Sequence, residues 1–560
     1  MSVIKVFGDG TSTIYQLLNG NVPTPECGGN GTCGKCRVWP KGDLSLPSAS
    51  EVLLLSREEL ASGMRLACLC VPCGECAVDM QDSAGNFSIV SAYDVPPFNF
   101  RLDGYGVAVD IGTTTCVMDL IDLATGQVLA RETFLNAQRA WGADVLSRIQ
   151  ASVTGQAENL RSAILSGLGG GLERLLARAE TVMAAGTVAT AGTVATAGTV
   201  ATVIPSRMVI AANTAMCHFL LGLDASGLGT SPFTPEATEY PDRNLTELLG
   251  TCLFDARLSS CVVQIIPGIS AFIGGDIVAG LAALDVGEAE LFIDIGTNAE
   301  IVLCAGGKYL CSSAAAGPAF EGGGISCGTG CVSGAVSAVY PEKNKFGFSV
   351  IGDESTHGAG ERDTDTPCVS NHNASMPAAS MPASGRQTPS GLCGSGLLDF
   401  IACSLELGLI RHDGSLSPVC AKTGILLEPT GTVTLTQKDI REFQLAKAAV
   451  RAGIEVLLSS ANVSAENIVC VHLSGGFGQG LSEQSAIAVG LLPRAFASRI
   501  HRAGNASLAG AAGYLADPSL FDRFNDIMRR SVTIQLAADV SFNSRFVDSM
   551  DFPFIKDSYV

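Results

Sequence analysis

The sequence predicts a multidomain α/β protein, and three observations carry that prediction. The chain has 560 residues, 47% of them hydrophobic, which is enough for several domains with buried cores. Seven of its 20 cysteines fall within the first 76 residues, so the amino-terminal region stands apart from the rest. Two apolar strands end in the same Asp-Ile-Gly turn, at Asp110 and at Asp294, and each opens a stretch in which strands and helices alternate. The 35 Lys and Arg against 54 Asp and Glu leave a net charge of −19. Phosphate backbones and anionic membranes are bound by clustered cations, so neither nucleic acid nor a membrane is an expected partner. Proteins and small molecules are.

The first residues, MSVIKVFGDGTSTIYQL, lack the basic and apolar regions of a signal peptide. The most apolar stretch, from Met208 to Leu223, is interrupted by Asn213 and His218 and falls short of a membrane span. A cytoplasmic protein is expected, and thiols there seldom form structural disulfides, so 20 cysteines point to metal or redox chemistry.

In chain order, the runs Val3–Phe7 and Ser12–Tyr15 flank Gly8-Asp9-Gly10 and predict a β-hairpin. Residues 1–82 form the cysteine-rich domain, and 83–104, with Asp94-Val-Pro-Pro-Phe98, a linker. The strand Gly106–Ile111 begins the next domain. Three copies of AGTVAT between 185 and 202 predict a slipped repeat in a loop or at a helix end. The Pro-, Ser- and Asn-rich stretch from Asp353 to Ser390 predicts an insertion.

Cys27, Cys33 and Cys36 are spaced C-x5-C-x2-C in a glycine-rich loop, and Cys68 follows 32 residues after Cys36. Four thiolates suffice for a [2Fe–2S] cluster, and glycines let backbone N–H groups turn toward the sulfurs, stabilising negative charge. Zinc is the less suited metal, since its sites are usually paired C-x2-C units without such a loop. Cys70, Cys73 and Cys76 are surplus: they are spare, supply another fourth ligand, or hold a further cluster.

Asp110-Ile-Gly112-Thr113-Thr114-Thr115 and Asp294-Ile-Gly296-Thr297-Asn298 are near copies. Turns of glycine and hydroxyl residues can wrap phosphates, and an aspartate at the strand end can hold hydrated Mg²⁺. Two copies imply a duplicated architecture. A third strand, Val471–Ser474, runs into Gly475-Gly476-Phe477-Gly478, glycines that let a nucleoside lie against backbone. Each turn also has a plainer reading: an aspartate such as Asp110, Asp294 or Asp276 can simply cap a following helix. No phosphate-binding P-loop and no intact dinucleotide fingerprint is present.

The cysteine spacing and its hairpin resemble the vertebrate- and bacterial-type [2Fe–2S] ferredoxins, which implies a β-grasp domain. In those proteins Arg-Leu-Ala precedes the fourth ligand, as it precedes Cys68 here. The DIGTTT, DIGTNAE and LSGGFG segments resemble the actin-like ATPases, which implies two ribonuclease-H-like lobes around an ATP cleft. The fusion of the two is similar to the reductive activators of corrinoid proteins. Further stretches share that likeness, among them Asn136-x-Gln138-x-x-x-Gly142-x-Asp144-Val145-x-Ser147-Arg148-Ile149, Asn213-Thr-Ala-Met-Cys-His218, Phe320-Glu321-Gly322 and Gly504-Asn505.

The resemblance implies ATP-driven transfer of an electron to Co(II) of a corrinoid methyltransferase protein, regenerating Co(I). Its expected parts are a [2Fe–2S] cluster on Cys27, Cys33, Cys36 and Cys68, ATP and Mg²⁺, a corrinoid protein partner and a low-potential electron donor, with a homodimer left open. Asp110 and Asp294 are the expected Mg²⁺ and water-positioning carboxylates, and Asp276 is a third catalytic candidate. Gly112, Thr113, Thr114, Gly296, Thr297 and Asn298 are expected on phosphates, and Gly475 and Gly476 beside the adenosine. Residues 105–204 are the first actin-like segment and 205–553 the carboxy-terminal ATPase domain. An injector for another low-potential enzyme, a small-molecule kinase and a redox-sensing ATP-binding switch are the competing readings.

Overall fold

The structure, a computed structural model, describes residues 2–18, 31, 34, 36–80, 98, 100–190, 203–250, 258–342, 345–352, 389–428 and 431–554. Cys27 and Cys33, residues 83–97 and 99 of the expected linker, the later AGTVAT copies and residues 353–388 of the expected insertion lie outside them. Two compact units result, the first from Met1–Ala84, Tyr93–Asp285 and Asn505–Ser531, the second built mainly of Val286–Gly504 and Val532–Val560.

The first unit begins with a four-stranded sheet in which Pro72–Met80 lies between Ser2–Phe7 and Arg37–Leu44, with Arg65–Leu66 on the outer edge. The expected amino-terminal hairpin is not formed. The Ser2–Phe7 strand pairs antiparallel with Pro72–Met80, and its supposed partner is a short helix, Ile14–Leu17. Local chemistry decides this. Asp9 accepts from the amides of Thr11 and Ser12 at 2.8 and 2.7 Å, and Thr13 and Gln16 close a capping box. Ile14 and Tyr15 are thereby turned into the domain core.

A buried ion pair braces this domain. Arg65 donates through Nε and Nη2 to the two oxygens of Glu51 at 2.9 and 3.0 Å, and the Leu66 amide donates to Glu51 at 3.0 Å. Burial alone would raise the Glu51 carboxyl, but the Arg65, Ser48 and Leu66 hydrogen bonds outweigh it and hold it below the usual carboxylate range. Its stabilisation is therefore present above the unfolded value near 4.5 and fades as pH falls. Glu51→Gln strands the guanidinium and is expected to cost about 3 kcal/mol. Thermal unfolding followed by loss of the visible cluster absorption measures it; an unchanged midpoint would contradict this role.

The remainder of the first unit is a lobe with a six-stranded sheet. Strands Tyr105–Ile111, Thr115–Asp122 and Val128–Leu135 form an antiparallel meander, and Pro205–Ala212 then Val262–Ile265 add parallel to the first of them. The second unit repeats this. Glu290–Ile295, Ala299–Ala305 and Lys308–Ala314 are the meander, and Cys470–Ser474 then Ile500–Gly504 are the parallel additions. The five strands named in each sheet thus run third, second, first, fourth, fifth among themselves, with the short strands Arg243–Asn244 and Ser531–Thr533 added at an edge of the first and second sheet, the duplication that the paired Asp-Ile-Gly turns predict. Each strand set buries apolar side chains against its own helices, Ala157–Thr190 and Thr214–Leu221 in the first lobe, Gly394–Glu406 and Gln437–Ser460 in the second. The long helix reaches into the first AGTVAT copy, so the repeat begins at a helix end.

The chain returns to the first lobe at Asn505. Its helix Ala506–Ala516 lies so close to Gly275–Ala283 that a Cβ on Gly510 would stand 2.3 Å from the Ala279 carbonyl oxygen. Among the described residues no helix is long and apolar enough to cross a membrane.

Candidate functional site

In the amino-terminal domain, Cys36 and Cys68 are brought together with their sulfurs 3.3 Å apart, both buried. Two buried thiols at that spacing fit an iron–sulfur centre, where adjacent ligands converge on one metal ion. Cys70 and Cys76 are buried and Cys73 is exposed. Among the described residues, which exclude Cys27 and Cys33, no group of three or more His, Cys, Asp or Glu side chains gathers at one point.

In the first lobe, Asp110 closes its strand and Gly112 turns the chain straight into the next strand, the Gly112 amide donating to Thr115 O at 2.9 Å. The helix-capping alternative fails here, because a strand and not a helix follows. A Cβ on Gly112 would stand 2.6 Å from Thr115 O, so only glycine fits. Asn505 Nδ2 donates to Asp110 Oδ2 at 2.8 Å, and Asn213 Nδ2 to Thr113 Oγ1 at 3.2 Å. Asp276 follows Gly274-Gly275, which press on the backbone of Asn213 and Ile266 with no room for a side chain. Asp276 is the second residue of its helix, whose N-cap is Gly274, and accepts from the Ile277 amide at 2.9 Å, so it lies in the first turn and is not the residue that caps the helix.

In the second lobe the same turn recurs, the Gly296 amide donating to Asn298 O at 2.9 Å, again between two strands. Asp294 accepts from Ser474 Oγ at 2.9 Å, and Thr297 Oγ1 donates to Glu321 Oε2 at 2.9 Å. Gly475 has φ of 87° and leads from the Cys470–Ser474 strand into a helix; a Cβ there would stand 2.7 Å from Asp294 Oδ1. Gly476 follows, open on its Cβ side. Burial, aided by the Glu321 charge and opposed by the Ser474 hydrogen bond, raises the Asp294 carboxyl to about 6. A carboxylate so placed gains by meeting a cation.

Each lobe therefore gathers an aspartate, a hydroxyl-bearing turn and an amide or hydroxyl that fixes the aspartate. Asn505, Ser474 and Glu321 hold these groups and were not assigned roles by the sequence. The signal for Asn505 was its place before an alanine-rich run, and it does cap that helix, accepting from the Leu508 amide at 2.8 Å.

The chain matches the family models described as the RACo middle region over residues 105–289 and as the C-terminal domain of RACo, the ASKHA domain, over 288–559. It matches the 2Fe-2S iron-sulfur cluster binding domain over 3–73. The corrinoid activation enzyme RamQ of Eubacterium limosum is 29% identical over 471 residues, spanning 78% of this chain and 68% of its own. The [Co(II) methylated amine-specific corrinoid protein] reductase of Methanosarcina barkeri is 25% identical over 464 residues, with 80% and 77% covered. A solved structure described as a reductive activator for corrinoid, iron-sulfur protein shares the fold with a TM-score of 0.63 at 24% identity, covering 98% of this chain and 96% of that one.

Proposed function

The chain belongs to the RACo family of corrinoid-protein activators, whose middle and carboxy-terminal regions follow one another in it from residue 105 to 559, and from that premise we propose that it is an ATP-hydrolysing iron–sulfur reductase returning Co(II) of a corrinoid methyltransferase protein to Co(I). The observation that carries this reading is the meeting of Cys36 and Cys68 sulfurs, 3.3 Å apart, in a domain fused to a lobe that ends its first strand in Asp110.

Cys27, Cys33, Cys36 and Cys68 would hold the [2Fe–2S] cluster, which supplies a single electron at low potential when bound. Asp110 and Asp294 would hold Mg²⁺ and order water. Thr113, Thr114 and Asn298 would donate to phosphate oxygens, with Gly112 and Gly296 permitting close approach, and Thr297 would join them once its hydroxyl turns from Glu321. Gly475 and Gly476 border the adenosine, and Asp276 orients the attacking water. Asn505 and Ser474 keep the two metal-binding carboxylates aimed.

Phosphates do not carry the electron, so ATP acts by differential affinity for two conformations of the protein and its partner. Each 59 mV of uphill one-electron transfer costs about 1.4 kcal/mol, within reach of such coupling. A low-potential donor reloads the thiolate-bound centre, and light scattering on the same preparation decides whether the unit is a homodimer.

The test is an anaerobic optical spectrum of a Co(II) corrinoid protein mixed with this protein and a low-potential reductant, with and without Mg-ATP. The Co(I) band is expected only with ATP. Persistence of Co(II) while the protein holds its cluster and binds ATP would remove the corrinoid assignment.

A further inference from the structure

The segment from Asn136 to Ile149 belongs to the resemblance, yet the proposed activity uses none of it. Its placement is specific. Ala137–Trp141 is one short 3-10 helix, capped by Asn136, whose side chain accepts from the Gln138 amide at 3.0 Å. At its start, Asn136 donates through its amide to Thr114 O at 2.9 Å and through Nδ2 to Gly112 O at 3.0 Å. From the following helix, Val145–Ala151, Arg148 donates through Nη2 to Thr113 O at 2.6 Å and through Nε to Gly142 O at 2.9 Å. All three carbonyls of the Gly112–Thr114 turn are thus gripped by residues flanking this helix.

The other side of the helix faces the ferredoxin domain. Ala140 is a member of that domain's core cluster, alongside Tyr15, Cys36 and Cys68. Trp141 packs against both that core and the core of the first lobe. Arg148 is fully buried and remains a cation at neutral pH, although burial and the neighbouring Arg139 draw its pKa down to about 9. Tyr15, itself buried, shares that core with Cys36, Cys68 and Ala140.

A buried guanidinium is costly unless it is held, and the Thr113 carbonyl is one of the groups that hold it. Any nucleotide-dependent shift of the turn therefore moves Arg148 and Asn136, and with them the helix seated in the ferredoxin core. A cation moved toward Cys36 and Cys68 favours the reduced centre, and one moved away disfavours it.

We propose that the Ala137–Trp141 helix, with Asn136 and Arg148 on its flanks, is the element through which nucleotide at the Gly112–Thr114 turn is sensed by the ferredoxin domain. Arg148 acts as a positioning residue. The inference rests on the activator reading only in that nucleotide binds at that turn.

The chain has 2 tryptophans, Trp39 and Trp141, so Trp39→Phe leaves Trp141 as the sole reporter at the seam. Its emission, recorded anaerobically in the intact protein at saturating Mg-ATP analogue with occupancy confirmed by calorimetry, is expected to change on nucleotide addition. The paramagnetic resonance spectrum of the reduced cluster is expected to change in parallel. Arg148→Met in the same background should abolish both responses at full occupancy, and Arg148→Lys should restore part of them. Should Arg148→Met fail to fold, Arg148→Lys and Asn136→Ala decide by the same two readouts. Full occupancy with silent Trp141 emission, or undiminished responses in the variants, would overturn the proposal. Absence of nucleotide binding would instead strike at the proposed function.

Discussion

Asp294→Asn is expected to lower ATP turnover by two to three orders of magnitude, roughly the effect of removing one group that stabilises transition-state charge, while raising the melting temperature of the nucleotide-free protein. The two halves have one cause. Asp294 lies at the end of a central strand, where burial lifts its carboxyl from 3.8 to about 6. A carboxyl raised by folding favours the folded state below its unfolded value and loses that contribution as pH rises through its folded value. At pH 8 the ionised group therefore burdens the nucleotide-free fold by about 3 kcal/mol. Asparagine retains an acceptor for Ser474 Oγ, now 2.9 Å away, and removes the charge. Mg²⁺ held at Asp294 would reverse the balance in the parent protein, because it needs the charge that folding disfavours. Its apparent affinity should weaken by about tenfold at pH 5, where a group titrating near 6 is mostly protonated. Differential scanning calorimetry at pH 5 and 8, with Mg²⁺ titrated at each, reads all of this. A variant that turns over ATP normally, or one that melts lower at pH 8 without nucleotide, would remove Asp294 from the proposed site.

Much of this arrangement was legible because it repeats. The Asp-Ile-Gly turn occurs twice at strand ends, and a duplicated turn specifies a duplicated lobe. The glycines at 112 and 475 were legible for a related reason, since a Cβ at either would collide with Thr115 O or Asp294 Oδ1. What the sequence hid was chemistry assembled from distant segments. Asn505 is 395 residues from Asp110, and Ser474 is 180 from Asp294. No local pattern connects such pairs, which meet only because parallel strands and a returning helix are laid side by side. The first turn of the chain misled in the opposite sense. Alternating apolar residues around an Asp-Gly suggested a hairpin, but the run was four residues long and a Thr13–Gln16 capping box outweighed its strand propensity. Arg148 illustrates a third limit: no role for it could be read from the sequence, because the carbonyls that it holds, on Thr113 and Gly142, are brought to it only by the fold.

Cys68→Ser is expected to abolish the visible cluster absorption and to reduce Co(II) reduction to background, while nucleotide binding persists. Four thiolates make the ligand set, and a serine hydroxyl at neutral pH offers neither the charge nor the soft sulfur that holds iron. The neighbouring thiols are poorly placed to take over. Cys70 is pinned by its own backbone, its amide donating to Leu66 O and its carbonyl accepting from the Ile14 amide, each at 2.9 Å. Cys76 sits mid-strand, paired with Val6 on one side and Gly42 on the other, so moving it would break the sheet. Cys73 is exposed on the same strand. Cys70→Ser, Cys73→Ser and Cys76→Ser should accordingly keep the cluster, read as iron and sulfide per chain together with the resonance spectrum. Retention of the cluster in Cys68→Ser and its loss in Cys70→Ser would exchange the fourth ligand. That exchange would also release Cys68 from beside Cys36, so the 3.3 Å approach of those sulfurs would need a different cause.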